Sequence, residues 1–156
     1  MLNREISRQI QQIRNLINKT ATACGGDLEM QSHWAKYICI RSAGLLENAL
    51  AEIYKDFVNG AASKPVADYT CSILSKIQNP KANRFVEVAS SFKPSWGIDL
   101  EAYLEAEGRK EAINSIMTNR HNIAHGKNSD ISIVRIKGYL EKAIEVIEFI
   151  ENQCKN

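Results

Sequence analysis

Apolar residues recur at intervals of three and four along most of this chain, and that spacing constrains its fold more than any other feature. Side chains three and four apart share a face of an α-helix, whereas a half-buried strand alternates in twos. Leu2, Ile6, Ile10, Ile13 and Ile17 make one such stripe, and Gly25-Gly26 marks the end of its helix. Ile133, Ile136, Leu140, Ala143, Ile147, Ile150 and Cys154 make another. No stretch reads as a convincing strand, an internal repeat, a linker or a low-complexity tract. The expected fold is all-α, a bundle of five to seven helices. A length of 156 residues fits one domain over 1–156, large enough for a core without metals or disulfides.

Between the two stripes, Asp27 is placed to cap a long helix from about Glu29 to Val58. That helix is apolar nearly all round, which predicts a central position. Residues 59–65 break it, and a short helix from Val66 to about Ile77 follows. Asn79-Pro80 reads as N-cap and first-turn proline of a helix reaching Phe92. Pro94 to Gly97 reads as a loop, and Leu100 to Glu107 as a short helix closed by Gly108. Glu111 to His125 forms the next helix, stopped by Gly126, and Asp130 is expected to cap the last.

Composition narrows the function classes only broadly. The 44% hydrophobic and 24% charged fractions are those of an ordinary globular protein, and a net charge of +2 neither requires nor excludes a nucleic-acid partner. The four cysteines form no C-x-x-C pair, so neither zinc nor a disulfide framework is expected, and Cys39 reads as a small buried hydrophobe. With neither an apolar leader nor a spanning segment in view, the expected compartment is the cytoplasm, with no membrane partner.

Chemistry concentrates in Asn119-Arg-His-Asn-Ile-Ala-His-Gly126. Ile113, Ile116, Arg120 and Ile123 share a stripe, so a guanidinium stands where an apolar group is expected. Buried, it needs a partner or a cleft; otherwise it snorkels from the last turns of the helix. On the long helix, Glu47 interrupts the stripe Ile40, Ala43, Leu50 and Tyr54. The two intruders suggest a buried ion pair or a polar site between the helices, unless Glu47 is solvated at the stripe's edge. His121 and His125 are one turn apart, a spacing that holds metals, but Asn122 stands where a zincin carries glutamate and no third ligand follows. Neither a metal nor a cofactor is expected. Arg120 and His125 lie about 140° apart around the helix, so they converge only in a cleft walled by another helix or subunit.

Arg120-x4-His125, followed by Gly126 before the last helix, resembles the signature of the all-helical HEPN superfamily, which is rich in ribonuclease toxins and defence proteins. The chain also looks like the RiboL-PSP-HEPN branch, in the long aromatic-apolar helix from Trp34 to Tyr54, the Asn79-Pro80 helix start and the Phe92 to Trp96 segment. The resemblance implies a metal-independent endoribonuclease, a toxin or antiviral effector, working on RNA as a homodimer with the site at its two-fold interface. Arg120 and His125 match the catalytic pair, His121 the supporting polar position, and Glu47 a polar residue on the second helix. In members modified by a partner nucleotidyltransferase a tyrosine follows two places after the histidine; here Lys127 stands there, which argues against that route. An antitoxin partner is part of the same implication.

The residue types suit RNA cleavage through the ribose 2′-OH, which yields a 2′,3′-cyclic phosphate and a 5′-hydroxyl. An imidazole serves as acid or base near neutrality, and a guanidinium grips phosphate oxygens. Lys127 and Asn122 are candidates for contacts to flanking RNA, against the plainer reading of Lys127 as a solvated loop lysine. Two alternatives stay open: an RNA- or nucleotide-binding module without turnover, and a structural helical dimerisation domain held by Arg120 and Glu47.

Overall fold

The computed structural model describes residues 3–156, in which eight α-helices and no strand occur. They are α1 (Arg4–Asn18), α2 (Thr20–Cys24), α3 (Leu28–Ala61), α4 (Lys64–Leu74), α5 (Ala82–Phe92), α6 (Pro94–Glu105), α7 (Arg109–Ala124) and α8 (Ile133–Lys155). Leu2, assigned to the first stripe by its spacing, lies outside the described residues.

The periodic stripes are the buried ones. Ile6, Ile10, Ile13 and Ile17 of α1 are all inside, each such side chain contributing roughly 1.5–3 kcal/mol by leaving water. Asn3 starts α1 by accepting the Glu5 and Ile6 N–H groups, and its own N–H donates to Glu151 Oε1 at 2.6 Å, which pins α1 to the end of α8. The long α3 packs against α1, α2, α4, α7 and α8, as its broad apolar surface predicts, but one strip carrying Tyr37 and Ile40 stays exposed. One hydrophobic cluster draws on every helix except α2. Cys39 lies inside it, its Sγ–H donating to the Ile116 carbonyl at 3.5 Å, and burial pushes its thiol up to about 12.

Several boundaries differ from the sequence expectation, each for a physical reason. The first helix is interrupted at Lys19, so α2 becomes a separate turn and the total rises above seven. Pro94 to Gly97 is not a loop: Lys93 is extended, and Pro94 opens α6 where a proline lacks only an N–H that has no helical partner anyway. Gly97 is there because α6 crosses α5 closely; a Cβ at that position would overlap Ser90 Oγ. Asn79-Pro80 does not begin α5. Asn79 sits in the left-handed region (φ 46), Lys81 occupies the cap position, and the first helical N–H, of Ala82, donates to Asn114 Oδ1 of α7 at 2.9 Å. Asp130 does not cap α8; Ser132 does, accepting the Arg135 N–H at 3.2 Å. Asp27 does cap α3, accepting from Met30 at 3.1 Å.

Candidate functional site

The motif occupies the C-terminal end of α7, and the way that helix stops fixes it. His125 is the C-cap and Gly126 is left-handed (φ 67). The Lys127 N–H reaches the Asn122 carbonyl at 2.8 Å and the Gly126 N–H reaches that of Ile123 at 3.2 Å. This is the paired closure of a Schellman ending, which needs a residue without a Cβ clash at Gly126. The rings of His121 and His125 lie 4.4 Å apart, tilted by 50°.

Arg120 follows Ile113 and Ile116 on the buried face, as its spacing predicts, and is half-buried where that face opens to solvent. It does not pair with Glu47. The Glu47 carboxylate instead accepts the Asn79 N–H at 2.6 Å, and among the described residues Arg120 has neither an ion pair nor a side-chain hydrogen bond. Within one chain, then, Arg120 and Glu47 do not form an ion pair. Glu47 and Asn114 together hold residues 79–82, the turn that carries Lys81, against α3 and α7.

That turn brings a charge which spacing does not reveal. Partial desolvation lowers the His121 pKa from its ordinary 6.5, and positive neighbours lower it further: His125, Lys127, Arg120 and Lys81, in that order. Lys81, Arg120 and Lys127 are thus near enough to act on the charge of His121, and none of the three has an ion-pair partner among the described residues. A cluster of cations without counter-anions attracts a polyanion. No third His, Cys, Asp or Glu joins His121 and His125 to form a metal-ligand group among the described residues.

The structure brings Arg120, His121, His125 and Lys127 to one end of α7 and leaves Glu47 one step removed, acting on the turn behind Lys81. Asn122 faces a separate polar pocket between α7, the following loop and α8. Lys81 carries no signal in the sequence, because only tertiary packing places it here. His121 and His125 are exposed, and Arg120 is half-buried.

An all-helical fold is that of the HEPN class of domains. A family model described as RiboL-PSP-HEPN matches residues 3–156, and the chain belongs to that family. Comparison with curated proteins and with solved structures finds no match. Among the described residues no helix is long and apolar enough to cross a membrane.

Proposed function

We propose that this protein is a metal-independent endoribonuclease acting as a homodimer, a toxin or defence effector. The observation that carries the reading is Arg120: a half-buried guanidinium with no partner among the described residues, beside two neighbouring, mutually tilted imidazoles and near other uncompensated cations. A half-buried guanidinium still free to bond has donors to offer, and a phosphodiester is the partner this set suits.

In the proposed reaction a neutral imidazole removes the ribose 2′-OH proton. The 2′-oxygen bonds to phosphorus, the bond from phosphorus to the 5′-oxygen breaks, and an imidazolium returns a proton to that leaving oxygen. A 2′,3′-cyclic phosphate and a 5′-hydroxyl result. The two copies of His125 in a dimer divide the base and acid roles, Arg120 stabilises the charge on the phosphorane, and Lys81 and Lys127 hold flanking phosphates. His121, its pKa lowered by partial desolvation and positive neighbours, lies against the His125 ring in the supporting position.

The dimer is supported by an apolar surface near the motif, where Leu28 is 79% and Val134 82% exposed beside Ile131 and Ile133. The test is cleavage of a mixed RNA in EDTA. Wild type is expected to produce cyclic-phosphate ends, and Arg120→Ala and His125→Ala to lose activity by about 10²-fold or more with unchanged helicity. Retained RNA with no cut in any condition would favour the binding module instead.

A further inference from the structure

Next to the motif lies a pocket of about 150 Å³, bounded by the end of α7, residues 128–131 and the first turns of α8. Part of its wall is scaffold. Asn119 Nδ2 donates to the Ser115 carbonyl at 2.8 Å, and Asn119 Oδ1 accepts from the Ser129 hydroxyl at 2.7 Å. The remaining polar side chains, Asn122, Asn128, Asp130, Arg135 and Tyr139, form no hydrogen bond or ion pair among the described residues. Asp130 is released for this position because Ser132 takes the capping role.

We infer that this pocket reads a guanine base of the RNA strand next to the scissile bond. The inference rests on the ribonuclease reading and names what its site would recognise. The donor set decides the base. A carboxylate only accepts, and it repels a phosphate, so its partner must offer N–H groups. Guanine offers two side by side, N1–H and the 2-amino group, which one carboxylate such as Asp130 accepts together. In adenine and cytosine a ring acceptor adjoins the amino group, and uracil's N3–H is flanked by two carbonyls; each would set a lone pair against the carboxylate. Guanine O6 and N7 are in turn a match for the Arg135 guanidinium fork. Tyr139, packed against the core, completes the wall beside them. Asn122 is three residues before His125 and about 60° from it around the helix, so a base held here belongs to a nucleotide beside the one being cut.

The test uses the full chain and short 2′-O-methyl oligouridines, which resist 2′-OH attack, carrying one central guanosine, inosine or adenosine. Affinity is read by fluorescence anisotropy. The guanosine strand is expected to bind about tenfold tighter than the adenosine strand. Inosine, which lacks the 2-amino group, should lose much of that margin, and Asp130→Asn and Arg135→Gln should each erase it with helicity unchanged. Equal affinity for all three strands, a guanosine preference untouched by both variants, or no binding of any strand overturns the inference. Cleavage of unmodified RNA is scored separately. A guanosine preference without cleavage removes the enzyme and keeps the pocket, whereas cleavage without base preference keeps the enzyme and removes the pocket.

Discussion

At the scale of single residues, His121 is the most informative titrating group. Its pKa is lowered first by partial desolvation and then by the charges of His125, Lys127, Arg120 and Lys81. Positive neighbours disfavour the imidazolium, so removing one must raise the pKa. An NMR titration should place the His121 midpoint below 6.5 in wild type and move it up in both Lys127→Ala and Lys81→Ala. No movement in either variant would mean that those ammonium groups do not gather at the motif. High salt should shrink the effect of both variants, because these side chains are exposed and salt screens exposed charges. Arg120 was legible from its place in a stripe of isoleucines. Its freedom from Glu47 was not, because an apolar periodicity says which face a residue shares and nothing about which residue of another helix meets it.

At the scale of elements, the helix ends decide where the chemistry sits. The Schellman closure at Gly126 orients His125 and turns the chain toward Asp130 and α8. Ser132→Ala should cost about 1 kcal/mol in denaturant unfolding through loss of the α8 cap. Asp130→Ala should leave stability nearly unchanged; a larger loss from Asp130 than from Ser132 would restore the sequence's choice of cap. The α5–α6 corner offers a second measurement. Gly97→Ala drives a methyl into Ser90, and overpacking of this kind costs roughly 1–3 kcal/mol. Ser90→Gly in the same background should recover much of the loss, since it removes the side chain that is hit. The Pro94 to Gly97 run looked like a loop because proline and glycine punctuate loops; here one opens a helix and the other lets two helices touch.

At the scale of the whole molecule, the core is a shared cluster to which seven helices contribute, and the end that carries the motif, the proposed site, lies near α8 and the turn before α5. The exposed Leu28 and Val134 lie close to that end, across Ile131, which borders both the apolar groove and the polar pocket. Leu28→Asp combined with Val134→Asp should shift the protein toward monomer in sedimentation and reduce RNA cleavage together. A monomeric wild type, or a double variant that remains dimeric and active, would move the proposed interface elsewhere.

By itself the sequence determined the all-α class, the order of the long helices, the caps at Asp27 and Gly126, and the site of the Arg120 to His125 motif. These depend on interactions within a turn or two of backbone, and local spacing records them. Tertiary structure alone decided that Glu47 serves Asn79, that Asn114 starts α5, that Lys81 joins the histidines, and that Asp130 turns from cap to pocket wall. Such pairings depend on how helices cross and which faces meet, and residues thirty-two positions apart, like Glu47 and Asn79, leave no periodic trace of having met.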